Sequence, residues 1–319
     1  MASPIKSILK GGLRLLVFTF CVWWLFRTID LESLLSGIRR ASWGVFAIAV
    51  PLSIFRVWLT GLRWRSLHPA HSSELNRWQY FRLSMIAHLF NHFMPGALGG
   101  DFAKTVFAVR RSVADKEKTI ISVLADRVVG LVSIFLLGSL AFFFSRQQAG
   151  IDYWVVAVVF AGFLFMLFVA VHPAFLSLLS KILSRIPALK DPCEKILSHW
   201  HGAIGFYTQN SHLMLRAFAL CLPIHLTAFA IFFLFSQSLG IPLLFPQLVF
   251  IISVMWLVTA IPVSFGGLGV REVSLVWLFS LFAVTPELAV ALSALWYANS
   301  ILVSVFAFPL LLNNNAHTI

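Results

Sequence analysis

The segment TIISVLADRVVGLVSIFLLGSLAFFFS, residues 119–145, decides the fold. It holds only two charges, Asp126 and Arg127, and no proline. A hydrocarbon layer about 30 Å thick is crossed by roughly 20 apolar residues, because a helix rises about 1.5 Å per residue. The segment is therefore long enough to span. Similar apolar stretches occupy 8–26, 42–61, 152–172, 213–238 and 286–312. Two others, 81–100 and 246–264, are apolar but broken by Pro and Gly, and a further one at 268–285 is short. Of the 319 residues, 60% are apolar and 11% charged, and the mean hydropathy is +0.90. A soluble domain carries about 25% charged residues, so this chain has too few charges to cover so large an apolar core. The expectation is an all-α, polytopic membrane bundle.

The net charge of +12 raises nucleic acid as a partner. The basic residues lie between apolar spans rather than on one polar face, which favours an anionic lipid surface and argues against nucleic acid. Cys21, Cys193 and Cys221 are far apart and show no CxxC spacing, so neither a disulfide framework nor a zinc site is expected. Lys6, Lys10 and Arg14 before an apolar run resemble a signal peptide, but no small-x-small cleavage site follows. An uncleaved first span is expected.

Lys and Arg set the orientation. The N-terminus, segment 62–82 (Arg63, Arg65, Arg77, Arg82), segment 104–118 (Lys104, Arg110, Arg111, Lys116, Lys118) and segment 173–212 (Lys181, Arg185, Lys190, Lys195) are basic. Loop 145–152 has only Arg146, and 239–246 has no charge. Placing the basic segments in the cytoplasm gives a cytoplasmic N-terminus and puts both ends of 81–100 on that side, so this stretch dips in and returns. Segments 62–79, 101–118 and 173–212 read as polar, the last as an amphipathic connector on the membrane surface.

Pro95-Gly96-Ala97-Leu98-Gly99-Gly100 and Pro262-Val263-Ser264-Phe265-Gly266-Gly267 share the pattern P-x-x-x-G-G at an offset of 167 residues. The same offset carries 42–61 onto 209–228, 81–100 onto 248–267 and 119–145 onto 286–312. The charge rule runs 42–61 and 213–238 in opposite directions. Two inverted repeats are expected, about 8–145 and 152–312, within a single transmembrane domain. Inverted halves with broken helices near the midplane are a transporter architecture.

Irregular backbone at membrane depth survives only where protein buries it or where it lines a wet cavity. Asn91, Pro95, Gly99, Gly100, Asp101 and Lys104 in the first break are therefore candidates for holding a headgroup. Glycines admit close approach, and free amides favour phosphate. In the second break the candidates are Pro262, Gly266, Gly267, Arg271 and Glu272; the last two are the only charges between Arg216 and Glu287. Asp126 and Arg127 lie about 10 Å deep in their span, too deep for Asp to snorkel. They are expected to pair with each other or with Asp101, Lys104 or Arg271. Arg127 is the candidate for forking onto a lipid phosphate. Arg56 is expected to snorkel to the interface, and Arg63 and Arg65 to flank an interfacial Trp64. His88 and His92 stand one helical turn apart, but no third ligand is placed nearby, so no metal is assigned. No nucleotide loop, nucleophile elbow or zinc-protease helix occurs, and no cofactor or catalytic residue is assigned.

Together Asn91 to Lys104, the run Leu124 to Leu131 (LADRVVGL) and Pro262 to Glu272 resemble the lysylphosphatidylglycerol synthase transmembrane region, the flippase-like or UPF0104 family. The resemblance covers almost the whole chain. Where the family often has Arg three residues after Gly-Gly-Asp, this chain has Lys104, which keeps the charge and loses the fork. The resemblance implies a multi-pass protein of the bacterial inner membrane, related to the half of the multiple peptide resistance factor that moves aminoacylated phosphatidylglycerol between leaflets. Bifunctional relatives add a soluble aminoacyl-transferase domain. The chain ends at Ile319 without one, so lipid synthesis by the chain itself is not expected. The expected partner is a phospholipid or lipid-linked substrate, with a separate lipid-modifying enzyme and a homo-oligomer left open. A membrane-embedded transferase and a non-transporting scaffold of an envelope enzyme are the competing functions.

Overall fold

A computed structural model describes residues 42–68, 75–93, 99–111, 116–149, 204–260 and 267–312, with isolated positions elsewhere. All regular structure among them is helical. The helices are α1 (Trp43–Leu67), α2 (Arg77–Phe93), α3 (Gly99–Arg111), α4 (Lys116–Ala149), α5 (Ser211–Ser238), α6 (Phe245–Thr259), α7 (Val270–Ser280), α8 (Pro286–Val305) and the short α9 (Ala307–Leu312). Four stretches are long and apolar enough to cross a bilayer: Trp43–Leu67, Lys118–Ser145, Ser211–Ser238 and Pro286–Leu311. The expected spans 8–26 and 152–172 and most of the connector 173–212 lie outside the described residues.

α6 has 15 residues and α7 has 11. At about 1.5 Å per residue they reach about 22 and 16 Å, so neither alone crosses a layer about 30 Å thick. Exposed positions on the long helices remain apolar: Leu136, Leu140 and Phe143 of α4, Leu215, Leu222 and Leu226 of α5, and Ile301, Leu302 and Val305 of α8. Helices apolar on every side suit a hydrocarbon solvent. The core joins Phe229, Phe232 and Phe235 of α5 to Ile251, Ile252 and Met255 of α6, with Leu275 and Phe279 of α7 and Leu292 of α8.

Two sequence boundaries need correction. The span expected over 42–61 continues to Leu67, because Arg63 and Trp64 are buried inside the bundle instead of marking an interface; Arg65 is exposed. The segment 101–118, read as polar, is helical over much of its length. Residues 99–111 form α3, whose Ala103, Lys104 and Ala108 are buried.

Backbones approach closely at two glycines. A Cβ on Gly138 of α4 would stand 2.6 Å from Ser253 Cβ of α6. A Cβ on Gly100 would collide with the Ala87 carbonyl oxygen and the Asn91 carboxamide of α2. Small residues at such crossings let membrane helices pack without a hydrophobic driving force.

The offset of 167 residues pairs α1 with α5, α2 with α6, α3 with α7, and α4 with α8 and α9. α1 packs on α5, so that contact returns itself. α4–α6 returns α2–α8, α1–α2 returns α5–α6, α2–α3 returns α6–α7, and α3–α4 returns α7–α8. α4–α5 likewise returns α1–α8, and α1–α4 returns α5–α8. The packing partners of the described helices thus map onto themselves when the two sets are exchanged. Thr60 and Thr227, related by the offset, each donate to the carbonyl four residues earlier, at Arg56 and Pro223.

Candidate functional site

α1, mostly apolar, carries Arg56, Thr60 and Arg63 on one face at i, i+4 and i+7. Side chains of that face reach Asp126 of α4, Cys221 of α5 and Trp296 of α8. Asp126 of α4 sits opposite. Arg63 Nε donates to its Oδ1 at 2.8 Å, and Lys104 Nζ of α3 donates to its Oδ2 at 2.9 Å. Both cations and the carboxylate are buried, with Lys104 only 2% exposed. Lys104 Nζ also lies 4.2 Å from the centre of the Trp64 ring, whose Nε1 donates to Ser122 Oγ at 3.0 Å. A buried charge is tolerable only when paired and hydrogen-bonded. Here one carboxylate holds two cations.

Arg63 Nη1 reaches Cys221 Sγ of α5 at 3.5 Å, and a Cβ on Gly130 would stand 3.1 Å from that same nitrogen, so Gly130 makes room for the guanidinium. Outside the spans, Tyr207 donates its hydroxyl to the Leu67 carbonyl at 2.6 Å. Burial, and secondarily Asp126, pushes that phenol above its ordinary range, so it stays a neutral donor closing the end of α1.

Arg127 Nη1 donates to Asp101 Oδ2 at 3.0 Å, with both side chains about a quarter exposed (28% and 26%). Asp101 lies in the first turn of α3, where the helix dipole favours an anion. Gly100 N donates to Asn91 Oδ1 at 2.8 Å, tying the start of α3 to the end of α2 across the break.

These groups open onto a cavity of 340 Å³ lined by Arg56, Thr60, Arg63, Asn91, Asp101, Lys104, Asp126 and Arg127, with His88, His225 and Trp256. Arg56 does not snorkel to the interface. Its guanidinium lies 5.5 Å from the centre of the Trp296 ring, and its Nε is buried without an acceptor. His225 and Ser133 share a hydrogen bond of 2.8 Å on the cavity's α5 side.

Of the residues singled out in the sequence, Asn91, Asp101, Lys104, Asp126 and Arg127 line one cavity, and Gly99 and Gly100 are buried beside it. Asp126 and Arg127 pair with other partners, Lys104 and Asp101 among those expected. Arg271 and Glu272 are not among the lining residues. They pair with each other at 2.6 Å, while Glu272 accepts from Gly269 N and Ser293 Oγ at 2.7 Å. Gly267 has φ +79°, a left-handed conformation open to glycine. Pro95, Pro262 and Gly266 lie outside the described residues. The flanks of the two breaks are linked through Tyr297: its ring lies 5.3 Å from His92 and 5.0 Å from the Arg271 guanidinium. His88 and His92 both hydrogen-bond to Ser300 Oγ.

Sequence reading missed Arg56 and Arg63 as site residues. The available signal was the i, i+4, i+7 polar stripe on α1, masked by the habit of reading terminal Arg and Trp as interface anchors. The offset also relates Asp126 to Ser293, and in both sets that residue bonds the helix after Gly-Gly, through Lys104 in one and through Glu272, one position past the equivalent of Lys104, in the other.

A family model described as the lysylphosphatidylglycerol synthase TM region matches residues 12–307. Among curated proteins, none matches the chain.

Proposed function

The chain belongs to the lysylphosphatidylglycerol synthase transmembrane-region family, and from that premise we propose that it is a lipid translocase of the bacterial inner membrane. It moves the headgroup of a phospholipid or lipid-linked substrate between leaflets while the acyl tails stay in the bilayer. The observation that carries this reading is the charged 340 Å³ cavity set among bilayer-length helices. A headgroup crossing hydrocarbon alone leaves each unsatisfied polar group at a cost of several kcal/mol, roughly. Arg63, Lys104, Asp126, Arg127 and Asp101 supply fixed partners along part of that path. The self-mapping helix partners support two interchangeable halves, as alternating exposure of one site requires.

A transferase would need a carboxylate free to take a proton or hold a metal. The two carboxylates lining the cavity among the described residues, Asp101 and Asp126, are instead held in ion pairs, which favours translocation. The test is leaflet exchange of a fluorescent phospholipid in proteoliposomes, read by impermeant quenching. Wild type is expected to exceed empty vesicles, and Arg127→Ala to fall below wild type. Equal exchange in all three overturns the proposal.

A further inference from the structure

Among the described residues, the cavity holds more positive charge than its own side chains cancel. Four cations line it, Arg56, Arg63, Lys104 and Arg127, against two carboxylates, Asp101 and Asp126. Asp101 is paired with Arg127. Asp126 is shared by two cations, which leaves one positive charge in that trio. The second is Arg56, which makes no ion pair among the described residues. Segments 94–98 and 261–266, beside the two breaks, contain no charged residue, so they do not alter the balance. His88 and His225 also line the cavity, and protonating either adds positive charge. The sign of the excess is therefore independent of their state.

Arg56 is shaped to receive an oxygen anion. Its guanidinium carbon lies over the Trp296 ring, 5.5 Å from the centre, and its Nε is a buried donor with no acceptor. A stacked guanidinium keeps its N–H edge free, and that edge forks onto phosphate oxygens. Lys104, lying over Trp64, presents a point charge instead.

We propose that this cavity takes a headgroup bearing two negative charges on phosphate, a phosphomonoester or a diphosphate, held by Arg56 together with the Arg63–Asp126–Lys104 trio. A cationic aminoacyl ester of phosphatidylglycerol is excluded, because its amines add to a surplus of the same sign. The assignment rests on the reading of the cavity as the headgroup site.

The test uses the full chain in neutral detergent at pH 8, where a phosphomonoester has lost its second proton (pKa about 6). Thermal-shift titrations compare short-chain phosphatidic acid, short-chain phosphatidylglycerol, the lysyl ester of the latter, and inorganic phosphate. Phosphatidic acid is expected to bind about tenfold more tightly than phosphatidylglycerol, the difference of one charge-assisted contact. The lysyl ester is expected to be weakest. Arg56→Gln, which breaks no ion pair, is expected to abolish the preference for phosphatidic acid, and Arg56→Lys to restore part of it. Lysyl ester binding as tightly as phosphatidic acid, an unchanged preference in Arg56→Gln, or inorganic phosphate binding as tightly as the lipid overturns the assignment. Leaflet exchange of the same lipids separates the two readings. Selective binding without exchange supports the headgroup class and sinks translocation. Equal exchange of phosphatidic acid and the lysyl ester sinks the class and leaves translocation standing.

Discussion

Asp126 is the residue on which the most rests. Replacing it with Asn leaves Arg63 and Lys104 buried without a countercharge, which costs about 3–5 kcal/mol. Asp126→Asn is therefore expected to lower the unfolding midpoint strongly. Arg127→Gln, in a pair a quarter exposed, is expected to cost about 1 kcal/mol or less. Thermal melts of the two variants side by side check this, and equal losses would contradict the burial argument. Gly100→Ala drives a methyl into the Ala87 carbonyl and the Asn91 side chain, so a large drop in folded yield is expected by size-exclusion profile. Asp126 was legible in the sequence because a lone acid two turns into an apolar span has few bland explanations. Its partner Arg63 was not. The two are 63 positions apart, and no periodicity reports a contact made only when α1 and α4 pack.

The long spans were legible at the level of elements because length and apolarity act locally, residue by residue. Helix ends were harder. Arg63 and Arg65 read as the end of a span, yet burial of the Arg63–Asp126 pair lets α1 run on to Leu67. The same carboxylate, through Lys104, ties α3 to α4 in a segment read only as polar. The α4–α6 crossing offers a test of such packing. Gly138→Ala overpacks it by a methyl and is expected to cost about 1–3 kcal/mol. Adding Ser253→Gly is expected to recover most of that loss, because Ser253 Cβ is the atom displaced. A double variant no more stable than Gly138→Ala would place the strain elsewhere. Orientation is tested by Trp78→Cys and Leu244→Cys, both at exposed positions, in a background lacking Cys21, Cys193 and Cys221. Impermeant thiol reagents are expected to label them from opposite faces, Trp78→Cys from the cytoplasm. Labelling from one shared face would refute the charge-based topology.

For the molecule as a whole, the proposal of two interchangeable halves carries a kinetic expectation. Thr60→Cys places a thiol on the cavity wall. It is expected to react from both faces of sealed vesicles if the halves trade places, with the bound lipid changing the ratio of the two rates. Reaction from one face alone, unaltered by lipid, would describe a fixed vestibule. The repeat pattern was visible in P-x-x-x-G-G. The helix partners that map onto themselves were not, since packing depends on which apolar faces meet, and apolar spans look alike in sequence.

Arg56 bears on how such a protein fares in a living cell. A cation set against one aromatic ring with no counterion among the described residues is costly to keep, and whatever anion settles beside it stabilises the fold by mass action. Abundance should then track the supply of that anion: cells starved of it would clear the protein by proteolysis sooner, with the gene and its transcript unchanged.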